Sequence, residues 1–315
     1  MRIVSLLPSA TEIVCSLGRQ DQLVGVSHSC NYPSGVSDLP AMTRTTVPKD
    51  ASSDTIDQHV RRYLGEHTAL YQLDIERLAE VGPDIVVSQR LCDVCAVNSD
   101  DVLAALHELP TQPRLVELEP ELLADVFHDI RLVGQALNAA GVALQVLESL
   151  QARVDDVAER TARIPMHLRP RVALLEWLLP PFNSGHWNPE LVALAGGIDC
   201  LGPSGKRSHT ISWSHVLQAR PDKIVVACCG LSQERTRADF VKLAQDEVWQ
   251  ELLESVERRV YVTDGDAYFS RPGPRLIDGM EALAHALHPA IHPPSETGAQ
   301  VVLAAAGANT GPSNA

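Results

Sequence analysis

The sequence predicts an α/β protein of two similar lobes, each with a parallel sheet, joined by a single long helix, and three observations carry that expectation. Short β-branched runs such as Ile85-Val86-Val87 and Ile224-Val225-Val226 lack polar alternation, the pattern of parallel strands buried on both faces. The elements of the first half recur in the same order in the second. Between the halves lies a helical stretch from about Glu121 to Ile164.

The first strand, about Arg2 to Leu6, runs into Pro8-Ser9-Ala10-Thr11-Glu12, where Ser9 is expected to cap a helix and Glu12 to reach back and complete a capping box. Gly18 ends that helix. Leu23 to Val26 is a second strand, followed after a long loop by a helix near Ile75 to Val81 and the strand after Gly82-Pro83-Asp84. The second half opens with the strand Arg171 to Glu176. A loop through Trp187 then leads to a helix from Pro189 to Leu194, which Gly196-Gly197 ends. Ile198 to Leu201 mirrors Leu23 to Val26, and Leu217 to Val226 echoes Leu78 to Val87. A Pro-Asp before an apolar strand is common by chance, so the order of the matched elements carries the inference.

The helical stretch is weakened at Asn138-Ala139-Ala140-Gly141, and its second part places Leu147, Leu150, Val154 and Val157 on one stripe. About 22 residues at 1.5 Å each span roughly 33 Å, enough for one helix to bridge two lobes. The expected organisation is residues 1–120 as the first lobe, 121–165 as the helical region, 166–293 as the second lobe and 294–315 as a disordered tail. That tail has no charge after Glu296 and little to bury.

Composition removes several function classes. The chain has 315 residues and a formal net charge of −14, which argues against a nucleic-acid partner. No stretch reaches the eighteen or so apolar residues of a membrane span. The start, Met1 to Pro8, is too short for a secretory apolar region, so a cytoplasmic protein with reduced thiols is expected. Seven cysteines with one Cys-x-x-Cys do not suggest a secreted disulfide scaffold.

Ligands of open parallel sheets bind beyond the carboxyl ends of the strands, so the loops that follow the strands are the candidates. In the first half these are Ser27-His28-Ser29-Cys30-Asn31-Tyr32-Pro33 and Gln89-Arg90-Leu91-Cys92-Asp93-Val94-Cys95. In the second half they are Trp177 to Trp187, Cys228-Cys229-Gly230 and Asp264 to Gly273. Much of a small aromatic supply, 4% of the chain, stands at strand ends.

These loops resemble those of the periplasmic cobalamin- and siderophore-binding family, in particular its leaderless cobalamin-binding members. The resemblance covers about Arg2 to Pro289. It is carried by Ile3-Val4-Ser5-Leu6-Leu7-Pro8-Ser9-Ala10-Thr11-Glu12, Leu23-Val24-Gly25-Val26-Ser27, Pro83-Asp84-Ile85-Val86-Val87 and Ser270-Arg271-Pro272-Gly273-Pro274-Arg275. It implies two Rossmann-like lobes joined by a long helix, with a corrinoid or other metal chelate in the cleft between them and no catalysis. Transport relatives are anchored outside the cytoplasm and dock onto an ABC transporter through an acidic residue on each lobe; Glu12 and Glu190 are the candidates for that contact here.

Each candidate residue has a second reading. Tyr32, Trp177, Trp187, Tyr268 and Phe269 suit the flat face of such a ligand, or serve the core. His186 supplies a nitrogen to cobalt or a hydrogen bond to the ligand, or it caps a helix. Arg271 holds a ligand acid, or ties its loop to its own lobe. His28, Cys30, Cys92 and Cys95 would form a thiolate and imidazole set for zinc, iron or cobalt, although a lone Cys-x-x-Cys is as often redox-active or structural. The glycine spacing of Gly202 to Ser208 is wrong for a phosphate loop, and no hydrolase, zincin or dinucleotide motif is present. Two readings follow. One is a non-catalytic binder of cobalamin or a related corrinoid, acting as carrier, reservoir or sensor. The other is a cytoplasmic metal-dependent enzyme or metal-cluster protein built on the His and Cys set.

Overall fold

Arg2 and Asp84 show how the first sheet is assembled. The Arg2 amide donates to Asp84 Oδ2 at 2.7 Å, the Asp84 amide returns a bond to the Arg2 carbonyl at 2.8 Å, and Arg2 Nε reaches the Val81 carbonyl at 2.6 Å. The Pro-Asp motif thus fastens the end of one helix to the start of the first strand. The computed structural model describes residues 1–48, 51–65, 70–90, 97 and 99–304. They divide into two units, Met1–Arg153 with Arg271–Pro274, and Val154–Ser270 with Arg275–Ala315.

The first unit runs β1 (Ile3–Ser5), α1 (Pro8–Ser16), β2 (Leu23–Val26), β3 (Thr43–Thr45), α2 (Ser53–Gly65), β4 (Tyr71–Leu73), α3 (Ile75–Val81), β5 (Ile85–Gln89), α4 (Ser99–Glu108), β6 (Arg114–Leu118), α5 (Leu123–Ala136) and α6 (Ala140–Ala162). Its main sheet has the order β2-β1-β5-β6, parallel throughout, while β3 and β4 form an antiparallel pair. Ile3, Val4, Val86 and Val87 are fully buried, as an unalternated apolar run requires of a sheet covered on both faces. One side packs Val4 and Val86 against Met42, Leu78, Val102 and Leu106.

The capping box expected at Ser9 and Glu12 does not form. Helix α1 starts instead with Pro8 in its first turn after Leu7, which makes no side-chain cap. Pro8 has no amide to satisfy and a backbone angle already suited to a helix, so it opens α1 unaided. Glu12 is buried within the helix.

Helix α5 ends before Asn138, whose φ is +52°, and α6 follows as a 23-residue helix. The boundary between the units falls inside α6, and its Leu147, Leu150, Val154 and Val157 are buried.

The second unit runs β7 (Arg171–Leu178), β8 (Pro181–Asn183), α7 (Asn188–Leu194), β9 (Ile198–Asp199), α8 (Trp213–Gln218), β10 (Lys223–Val226), α9 (Gln233–Leu243), α10 (Glu247–Ser255), β11 (Val260–Thr263), α11 (Gly265–Tyr268), α12 (Leu276–Leu287) and β12 (Val301–Leu303). Strands β9, β7, β10 and β11 are parallel and adjacent in that order, the same arrangement as β2-β1-β5-β6. The Arg-Asp fastening recurs: the Arg171 amide donates to Asp222 Oδ2 at 2.7 Å and the Asp222 amide to the Arg171 carbonyl at 2.8 Å. The internal repeat therefore reaches down to matched hydrogen bonds.

Antiparallel β8 and β12 are added at the two edges of the second sheet. Strand β12 corrects the expectation of a disordered tail from residue 294. Val301, Val302 and Leu303 pair with Thr263, Val262 and Tyr261, and Thr263 Oγ1 donates to the Gln300 carbonyl at 2.8 Å. The open edge of β11 offers this apolar run the backbone partners it would otherwise lack. Residues 305–315 of that tail lie outside the described residues.

Candidate functional site

In the second unit, the candidate loops follow β7 and β11. Trp177 lies near the end of β7, opposite Phe182 of β8, with its indole Nε1 donating to the Leu179 carbonyl at 3.2 Å. The preceding residue, Glu176, turns its carboxylate to the next loop. Its Oε1 accepts from the Gly185 amide and from Asn188 Nδ2, each at 2.7 Å. Burial pushes this carboxyl above its ordinary range, opposed by the bonds from Asn188, Gly185 and Ser208. Asp199 of β9 works alongside, accepting from Ser184 Oγ at 2.7 Å and from the amides of Leu201 and Gly202 at 2.9 and 2.8 Å.

These two carboxylates set the path of the Asn183 to Asn188 segment. His186 sits at φ +48°, a strained angle for a side chain with a Cβ. Its amide donates to the Lys206 carbonyl at 2.7 Å, and its ring stacks on Trp187 with centroids 5.4 Å apart. Trp187 Nε1 in turn donates to the Phe269 carbonyl at 2.9 Å, which ties the β7 loop to the β11 loop. Tyr268 faces the guanidinium of Arg275 at 5.6 Å. The close approach of the β11 loop to the β10 loop requires glycine at 265, where a Cβ would stand 2.3 Å from the Cys228 carbonyl oxygen.

In the first unit, Tyr32 is the most open of the expected aromatics, 46% exposed. Beside it, Asn31 Oδ1 accepts from Arg271 Nη1 at 2.7 Å, and the same nitrogen stands 3.1 Å from Glu12 Oε1. Cys30 Sγ lies 3.1 Å from Thr11 Oγ1. Burial raises the pKa of the Cys30 thiol, while the Thr11 bond and the Arg271 charge pull it the other way. His28 Nδ1 is 2.7 Å from Thr43 Oγ1, and its ring stacks on Tyr71 at 5.6 Å.

Several expectations are corrected by burial. Phe269 is completely enclosed and Trp187 is 4% exposed, so both side chains pack as core and Trp187 acts as a strut between loops. Arg271 offers no open cation for a ligand acid, since its guanidinium is enclosed with Glu12 and Asn31. Glu12, expected as a docking contact, is enclosed by the same pair and cannot present a carboxylate to a partner. His28 Nδ1 and Cys30 Sγ lie within hydrogen-bond distance of Thr43 and Thr11 respectively. Cys92 and Cys95 lie outside the described residues. Among the described residues no group of three His, Cys, Asp or Glu side chains is placed to hold a metal ion.

Glu176 and Asp199 were not singled out from sequence. The signal was present, since an acid that ends an apolar parallel strand has to be satisfied by the loop above it.

The sequence matches the family model described as "Periplasmic binding protein" over residues 3–267. It is similar to a Bacillus subtilis protein named an uncharacterized ABC transporter substrate-binding lipoprotein, YvrC, with 22% identity over 91% of this chain and 80% of that protein. It is likewise similar to a vitamin B12-binding protein of Vibrio cholerae, with 24% identity over 89% of this chain and 86% of that one. Among solved structures, the fold matches the periplasmic heme-binding protein RhuT of Roseiflexus sp. RS-1 with a TM-score of 0.69 at 21% identity, covering 92% of this chain and 99% of that one. The periplasmic vitamin B12 binding protein BtuF of Vibrio cholerae matches with a TM-score of 0.66 at 22% identity, covering 92% and 97%. These relatives overturn the expected cytoplasmic placement: the names they carry are those of a lipoprotein and of periplasmic proteins, which point outside the cytoplasm.

Proposed function

The chain belongs to the periplasmic binding protein family, and from that premise we propose that it is an extracytoplasmic substrate-binding protein that captures a metal chelate, a corrinoid of the cobalamin type, for an ABC transporter. The observation that carries this reading is the set of aromatic and imidazole side chains at and just beyond strand ends: Trp177, His186 and Tyr268 in the second unit and Tyr32 in the first, all with exposed surface. Such rings supply large apolar area at little conformational cost, which suits the face of a macrocycle. Relatives named for vitamin B12 support a corrinoid; those named for heme support the wider class of planar chelates. The rival metal-dependent activity is the weaker reading, because the relatives are named as binding proteins for vitamin B12 or heme.

The test is a titration of the purified protein with cyanocobalamin, hydroxocobalamin and hemin, followed by absorbance and calorimetry, with elemental analysis of the untreated sample. Micromolar or tighter cobalamin binding, weakened by Trp177→Ala or His186→Ala, supports the proposal. Binding of hemin alone moves the ligand to a porphyrin. Binding of none, with zinc or iron retained, moves the function to the cysteine loops.

A further inference from the structure

The second unit holds a basic turn whose charged side chains have had no part in the account above. Although the chain carries 40 acidic residues against 26 Lys and Arg, residues 200 to 221 contain no Asp or Glu at all, and the segment includes Lys206, Arg207 and His209. All three of those side chains are exposed. Their backbone is not free to wander. The Lys206 carbonyl accepts from the His186 amide at 2.7 Å, the Gly205 amide donates to the His186 carbonyl at 3.0 Å, and the His209 amide donates to Asn183 Oδ1 at 2.7 Å. Contact between the two backbones is so close that a Cβ on Gly185 would stand 2.4 Å from the Ser208 amide nitrogen. Ser208 is also bonded to Glu176, the carboxylate that sets the His186 loop.

A fixed turn bearing two permanent cations, clipped directly to the loop of a candidate ligand residue, is suited to reading charge on whatever His186 meets. We propose that Lys206 and Arg207 determine specificity for an acidic group on the ligand, a carboxylate or a phosphate carried by the chelate. This rests on the proposed function above and deepens it. The backbone of the turn is fixed before the ligand arrives, so only the two side chains remain to be ordered on binding. The negative charge of the rest of the protein repels a free anion, so an acid joined to an apolar ring is selected over small anions.

The test compares three probes on the wild type and on the variant Lys206→Ala/Arg207→Ala: hemin, with two carboxylates; cyanocobalamin, with one phosphodiester; and dicyanocobinamide, with neither. Circular dichroism and a melting curve confirm that the variant is folded, as expected for two exposed side chains. A chelate read through carboxylates shows hemin affinity falling about tenfold or more in the variant; one read through phosphate shows the same fall for cyanocobalamin. In either case the salt dependence flattens, cobinamide binding is unchanged, and Lys206→Arg/Arg207→Lys restores affinity. If a probe binds the wild type and the Ala variant holds it as tightly with the same salt dependence, this inference is wrong while the binding function stands. If no probe binds the wild type, the binding function fails and this inference with it.

Discussion

Arg271 stands 3.1 Å from Glu12, with the two side chains only 5% and 2% exposed, so the Arg271 to Pro274 segment is fastened to α1 by a buried ion pair. Asn31 completes it by accepting from the same Arg271 nitrogen. Removing one partner leaves the other charge enclosed and uncompensated, a loss of roughly 3–5 kcal/mol. Glu12→Gln and Arg271→Met are each expected to lower stability in urea unfolding. The double variant should lose less than the two single losses added together; strict additivity would show that the pair is not coupled.

The matched fastenings of the two sheets predict matched consequences. Asp84→Ala and Asp222→Ala each remove the acceptor of an amide at the start of a strand, that of Arg2 just before β1 or of Arg171 in β7. Each is expected to cost about 1 kcal/mol, the usual size for one hydrogen bond near the surface. Hydrogen exchange should localise the loss, with β1 and β5 opening in the first variant and β7 and β10 in the second. Exchange that rises equally in both units would count against the repeat as two independent devices.

Gly265→Ala tests the close approach of the β10 and β11 loops. The added methyl meets the backbone at Ala227 and Cys228, with contacts from 2.3 to 2.6 Å, and backbone cannot rotate aside as a side chain can. A loss of about 1–3 kcal/mol is expected. Ligand binding should weaken more than stability alone explains, because Phe269 and Trp187 are placed by the same loop.

Asp129 predicts a pH dependence. Burial, followed by the charges of Asp125 and Glu119, pushes its carboxyl up from 3.8 to about 7. The native state therefore keeps a proton that the unfolded chain releases, and stability falls as pH rises between about 4 and 7. Asp129→Asn mimics the protonated form. Its advantage in melting temperature over the wild type should grow across that window and level off above about pH 7. A constant difference from pH 4 to pH 8 would place the carboxylate in an ordinary environment.

The fold was legible where local pattern and burial agree. Runs such as Ile85-Val86-Val87 are buried on both faces of a parallel sheet, and the order of elements around the two Pro-Asp motifs reports a real repeat. The Ser9 and Glu12 pattern misled because two start signals competed: Pro8 opened the helix, and Glu12 was claimed by an arginine 259 positions away. The tail misled at Val301 to Leu303 because composition does not reveal an open sheet edge elsewhere in the chain.

Sequence by itself determined the class of fold, the duplicated strand order and the long helix α6, since periodicity and chain order express all of these. Only the tertiary structure decided which aromatics of those loops remain accessible. Trp187 and Phe269 are sealed while Tyr32, Trp177 and Tyr268 keep exposed surface, and nothing local separates the two sets. Likewise Arg271, read either as a ligand contact or as a tie for its loop, and Glu12, read as half of a capping box and as a docking contact, are closed on each other. The physical reason is that burial and charge pairing are set by residues far apart in the chain, whereas helix and strand patterns are written within a few turns.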